Sequence, residues 1–261
     1  MLGRHHLALT LLTGAVALAP LFWVAPIAVL LAMAGLAVGA LLPDVDADDA
    51  AIYHGHVRGL PGGLGTVVNA TVAPAFPVVA YVTRYVIVAP TAWVYDAMLF
   101  SNRDVDVSHR GYTHSLLGIA TTTLAAGAIL AAIGGGLWAL GSPSADPLAI
   151  AVAVSVTTAG LGAGQVLHTL QDSATVSGIA WLAPFSERTL RGRLRTSGDL
   201  LDALPAEGFT AVLLALAAVT AVGTLAEPWG LPPWWFAPVS TLAAALVWIA
   251  FSVGVARIEV T

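Results

Sequence analysis

An all-α, polytopic membrane helix bundle is the fold this sequence predicts, and composition, segment length and the placement of polar residues all point to it. Only 10% of the 261 residues are charged while 58% are hydrophobic, and mean hydropathy is +0.86; a soluble globular domain carries roughly 25% charged residues. A helix needs about 20 mostly apolar residues to span the hydrocarbon core. Six stretches qualify: 7–24, 25–42, 115–140, 148–167, 209–226 and 234–256. Histidines and carboxylates gather at the edges of these stretches and do not interrupt them.

The first two stretches read as a hairpin broken near Pro20 and Pro26. The first resembles a signal peptide, but a second apolar run follows almost at once and no small-residue cleavage site separates them, so it is expected to be retained. An acidic turn, Pro43-Asp44-Val45-Asp46-Ala47-Asp48-Asp49, closes the hairpin. Residues 53–107 form a Gly-rich loop followed by apolar pieces broken by Pro74, Pro77, Arg84 and Pro90. A charge at mid-bilayer costs about 2.5–3.5 kcal/mol on insertion scales, so this insert is expected to be interfacial or re-entrant, with a short membrane hairpin as the alternative. Two further hairpins follow. The expected organisation is a hydrolase-like core over 1–205, carrying the 53–107 insert, and a C-terminal hairpin over 206–261.

The absence of cysteine excludes disulfides, Cys-type zinc sites and thiol nucleophiles. A net charge of −5 gives no electrostatic reason to expect nucleic acid. All ten basic residues are arginines. Arg58, Arg103, Arg110, Arg188, Arg191, Arg193 and Arg195 fall on one face by helix counting, whereas the loops at 142–147 and 227–233 carry no Lys or Arg. The positive-inside rule then places both termini and the polar clusters in the cytoplasm. Trp229, Trp234 and Trp235 would mark the opposite interface.

Chemistry gathers in four clusters on that one face. His168 and Asp172 lie four residues apart at a helix end and share a face; the pair suits a divalent cation or a plain structural hydrogen bond. Asp44 and Asp46, in an extended turn after a proline, repel when partly desolvated unless a cation neutralises them; a solvated capping turn is the alternative. The string His109-Arg110-Gly111-Tyr112-Thr113-His114-Ser115 packs two imidazoles, a guanidinium and two aliphatic hydroxyls at a span entrance, although Thr113 and Ser115 are also natural helix caps. Adjacent His5 and His6 point about 100° apart in a helix, so only one can face the others, with His6 favoured. His54 and His56 read as ordinary loop residues. Together the clusters supply a mixed N/O set for one or two ions: carboxylates favour Mg²⁺ or Mn²⁺, imidazoles Zn²⁺ or Fe. Such a site activates water and polarises a phosphoryl or acyl oxygen, which is hydrolase chemistry.

With these residues in view, the chain resembles the YdjM-like family of inner-membrane metal-dependent hydrolases. The resemblance rests on an N-terminal His, Leu42-Pro43-Asp44-Val45-Asp46, the His109–Ser115 string, His168-Thr169-Leu170-Gln171-Asp172 with Thr175 and Gly178, Leu182-Ala183-Pro184-Phe185-Ser186 and Arg193-Leu194-Arg195-Thr196. It covers most of the chain to about residue 200, leaving the last two spans largely outside with anchoring as their expected role. That family is similar to the phospholipase C and P1 nuclease group. The resemblance therefore implies phosphoester hydrolysis with His6, Asp44, Asp46, His109, His114, His168 and Asp172 as ligands or proton carriers.

The expected function is a divalent-metal-dependent phosphoesterase at the cytoplasmic membrane surface, using one or two Zn or Mn ions and acting on a phosphoester, plausibly of a lipid. The expected metal ligands are His6, Asp44, Asp46, His114, His168 and Asp172. His109, Arg110 and His114 are the expected catalytic groups, with Arg110 and Arg191, Arg193 and Arg195 holding anionic oxygens. A metal carrier and a non-catalytic membrane scaffold are the competing classes.

Overall fold

A computed structural model describes residues 3–99, 110–140, 146–195, 200–226 and 233–261. Its architecture is an all-α bundle: α1 (Gly3–Leu18), α2 (Pro26–Gly39), α3 (Gly62–Thr71), α4 (Phe76–Val82), α5 (Ala89–Leu99), α6 (Leu116–Ala139), α7 (Pro147–Ser173), α8 (Leu200–Ala226) and α9 (Pro233–Ala250). A π-helical stretch, Thr83–Val88, joins α4 to α5, and another, Phe251–Val255, continues α9. Among the described residues, five helical segments are long and apolar enough to cross a membrane: 73–97, 116–139, 147–173, 202–225 and 236–255. Their outer faces expose large apolar side chains such as Leu124, Leu137, Val219 and Leu246. A bundle that turns such a surface outward has lipid as its natural solvent. The chain is a multi-pass membrane protein.

The first two predicted spans are shorter than the sequence suggests. α1 has 16 residues and α2 has 14, because Pro20 lies in a 3₁₀ turn and Pro26 restarts the chain as the first residue of α2. Neither reaches about 20 residues. Burial compensates for α1, which buries every residue from His5 to Leu12. It is the hub of the bundle, in contact with α2, α7, α8 and α9.

α2 and α7 pack extensively against each other, and glycine lets them approach closely. A Cβ added to Gly35 would lie 2.2 Å from the Thr157 carbonyl oxygen, and one on Gly39 2.1 Å from that of Leu161. From the other side, a Cβ on Gly160 would lie 2.3 Å from the Ala32 carbonyl oxygen, and one on Gly164 2.6 Å from that of Leu36. Two Gly-x-x-x-Gly ridges therefore press backbone against backbone, the small-residue packing that brings helices together where no hydrophobic effect drives them. This contact carries the end of α2 to the end of α7.

The remaining elements close around that junction. Ser115 caps α6, its hydroxyl accepting from the Gly118 amide at 3.1 Å. The π stretch between α4 and α5 lies against the turn after α2 and against α6, and the Tyr95 hydroxyl is 3.2 Å from that of Thr121. The middle of the 73–97 segment thus sits at the polar end of the bundle, where Arg84 pairs with Asp48 and Tyr53. After α7 the chain doubles back, with Ile179 and Leu190 exchanging backbone hydrogen bonds of 2.9 Å. β1 (Leu190–Arg191) pairs antiparallel with β2 (Glu259–Val260). The C-terminal hairpin is therefore tied to the core at several points. Phe209, Trp248 and Phe251 pack on Leu9 and Leu12 of α1, and Trp248 Nε1 donates to Thr13 at 2.9 Å.

Candidate metal centre

Four side chains meet where α2, α6 and α7 converge. The turn after α2 is a 3₁₀ helix, Leu42–Asp46, and places Asp44 against the end of α7. His168 and Asp172 come from the last turns of α7, and His114 from a 3₁₀ turn just before α6. Each offers a ligand atom, and the four atoms lie within 4.8 Å of one another. His168 Nε2 is 3.3 Å from Asp44 Oδ1 and 3.7 Å from Asp172 Oδ2. His114 Nε2 is 3.5 Å and 3.6 Å from the same two oxygens. A tetrahedron of bonds about 2.0–2.1 Å long has edges of roughly 3.3–3.4 Å, so four of the six edges stand close to a ligand cage.

The imidazoles are oriented from behind. Nδ1 of His168 lies 2.7 Å from the Ala40 carbonyl oxygen and donates its proton there, since the carbonyl can only accept. That turns Nε2 toward the centre, buried and without a hydrogen-bond partner, beside the Asp44 and Asp172 carboxylates; bound to an ion, it would offer a lone pair. Backbone carbonyls fix metal-binding imidazoles in this way. His114 Nδ1 lies 3.1 Å from the Thr113 hydroxyl, which donates to Asp46 Oδ2 at 2.7 Å. Burial pushes the Asp44 carboxyl up, but His168, His114 and His6 around it outweigh burial and hold it well below the usual carboxylate range. Asp44 is therefore charged at neutral pH.

The donor chemistry fits a divalent ion. Two imidazole nitrogens and two carboxylate oxygens suit Zn²⁺ or Mn²⁺, and a buried ring nitrogen with no hydrogen bond is what a missing ligand bond looks like.

The other predicted site residues take supporting places. Asp46 falls outside the four-atom group, with a 3₁₀ turn in place of the extended turn that the sequence suggests; it lies 3.7 Å from His114 Nδ1 and reaches that ring chiefly through Thr113. His6 stacks on His168 with ring centroids 3.9 Å apart, and its Nε2 is 3.4 Å from Asp172 Oδ1. His5 turns the other way, to Glu207 on α8 at 3.2 Å. Of the two neighbours, His6 faces the cluster. Arg110, in the left-handed region (φ 73°), donates to Thr175 Oγ1 at 3.1 Å and reaches Asp172 Oδ1 at 3.5 Å. It thus holds the outer oxygen of Asp172. Arg191, Arg193 and Arg195 are exposed in and beside the β1 ribbon. His109 lies outside the described residues.

Two supports escape a sequence reading. Thr113 reads as a helix cap, yet Ser115 is the cap and Thr113 links Asp46 to His114. The Ala40 carbonyl leaves no side-chain signal at all. Replacing Thr113 with valine keeps the shape and removes the link, so metal affinity should fall about 10- to 100-fold, as for other outer-shell partners. Competition with a chromogenic zinc chelator would read it, and an unchanged affinity would show the link to be ornamental.

A family model described as YdjM inner membrane protein matches residues 1–258. The match takes in α8 and α9, which correct the expectation that the last two spans lie largely outside the family pattern. No curated protein and no solved structure matches.

Proposed function

The chain belongs to the YdjM inner membrane protein family, and from that premise we propose that it is a divalent-metal-dependent hydrolase acting on phosphoesters at the membrane surface. The observation that carries the reading is His168: its Nδ1 proton is committed to Ala40, while its Nε2 is buried, without a hydrogen bond and beside two carboxylates. A divalent ion bound there supplies Lewis acidity, activating water and polarising a phosphoryl oxygen. The chain's own residues do the holding. Asp44, His114, His168 and Asp172 form the donor set; His6 and Arg110 fix Asp172; Asp46 and Thr113 fix His114.

Orientation follows from charge. The cluster shares its end of the bundle with Arg58, Arg110 and the Arg188 to Arg195 ribbon, so the positive-inside rule supports a cytoplasmic site. The 73–97 segment, whose middle packs at that same end, would then lie along the interface with its apolar face in lipid.

Turnover of p-nitrophenyl phosphate, bis-p-nitrophenyl phosphate and phosphatidic acid by detergent-purified protein loaded with zinc or manganese tests the proposal. Hydrolysis of at least one, abolished by a chelator and by Asp44→Asn, is the expected result. Bound metal with no turnover on any substrate would favour a carrier. No bound metal would favour a scaffold.

A further inference from the structure

The side chains of His114, His168 and Asp172 are at most 2% exposed, whereas that of Asp44 is 14% exposed. Any ligand approaching an ion in this set therefore comes from the Asp44 side. On that side lies a cavity of about 880 Å³, with Asp44 in its wall together with Arg4, His54, His56 and Arg58. Ligand pockets commonly enclose about 300–1,000 Å³.

The basic wall is built, not incidental. Asn69 grips the loop, accepting from the Val57 amide at 2.8 Å and donating to the Val57 carbonyl at 3.0 Å. Val57 itself is buried, so His56 and Arg58 are presented on either side of a fixed anchor. Arg4 lies over Gly59, where a Cβ would come within 2.9 Å of Nη1, and Gly59 has a positive φ of 77°. Only glycine gives the chain this bend and leaves the guanidinium room to lie on it.

Two guanidinium forks and two imidazoles beside a cation site match phosphoryl oxygens, which accept paired N–H bonds from arginine. Asp49 also lines the cavity, but it is exposed to solvent, and the charge of Asp44 would be neutralised by the ion. We infer that this cavity is the docking site for the phosphoryl group of an anionic phosphoester, with Arg4 and Arg58 on its oxygens; the inference rests on the hydrolase reading of the metal centre. It moves the anion-binding role away from the Arg191 to Arg195 ribbon.

Calorimetric titration of the purified full chain with inorganic phosphate tests this, with metal content measured on the same samples. Wild-type protein should bind phosphate, and Arg58→Ala, on an exposed loop, should weaken binding about 10- to 100-fold, the loss expected for a charged hydrogen bond, with unchanged metal content. Arg4→Gln should do the same, and Arg4→Lys should recover part of the affinity. Displacement by phosphatidic acid in nanodiscs would identify a lipid headgroup, and displacement by glycerol 3-phosphate a soluble phosphoester; either supports the site. Absence of phosphate binding to the wild type, wild-type affinity in both arginine variants, or displacement by neither ester would overturn it. Loss of the hydrolase reading would register separately, as protein that carries no metal or that turns over none of the phosphoester substrates.

Discussion

Alanine in place of His168 should leave the folded protein without its metal. A complete four-ligand structural site is worth about 10–16 kcal/mol of apparent binding, so one ligand's share is about 3–4 kcal/mol, or a 10²- to 10³-fold loss of affinity. His168 should fall at the upper end, because its side chain is fully buried and its removal also strands the Ala40 carbonyl, which now accepts Nδ1–H at 2.7 Å. Asp44 and Asp172 would then face each other without the imidazole between them. Asp172→Ala should lose the metal to a similar degree. His5→Ala is the control, since His5 bonds to Glu207 and not to the cluster; its metal content should match the wild type. Elemental analysis of gel-filtered protein distinguishes the three variants.

Valine at Gly39 should remove the metal without touching a ligand. The new Cβ would sit 2.1 Å from the Leu161 carbonyl oxygen, 2.9 Å from its carbon and 3.1 Å from the Gln165 nitrogen. All three are backbone atoms of α7, which cannot swing aside as a side-chain tip can. The helices must part by about an ångström to restore ordinary contact. Asp44 rides on the end of α2 and His168 on α7, and their 3.3 Å approach would open with the helices, whereas ligand distances tolerate about ±0.2 Å. Overpacking costs typically 1–3 kcal/mol, so thermal stability should fall along with metal binding. Gly136→Ala in α6, where a Cβ meets nothing within 4 Å, should preserve both. A Gly39→Val protein with full metal and unchanged melting would show that the α2–α7 contact does not set the site.

Much of this was legible from the residues. The apolar runs that became α6 to α9 are long and uninterrupted, and the end-of-run positions of Asp44, His114, His168 and Asp172 follow from counting spans. What stayed hidden is tertiary. The two Gly-x-x-x-Gly pairs, Gly35/Gly39 and Gly160/Gly164, are plain in the sequence, but nothing there says that they face each other. Asp44 joins the four-atom group and Asp46 does not, in a 3₁₀ turn that a proline permits without dictating. The shortness of α1 depends on its burial by four neighbours, which substitutes protein for lipid. His54 and His56 look like loop filler until the loop is seen anchored by Asn69 beside Arg4.

The central claim is that Asp44, His114, His168 and Asp172 together hold an ion. Elemental mass spectrometry of protein purified from membranes without an affinity histidine tag tests it most directly. About one equivalent of zinc or manganese per chain, removed by a chelator and restored on readdition, is the result expected of a four-donor cage. Protein that is metal-free as purified, and still metal-free after reconstitution with zinc, manganese or iron, would contradict it.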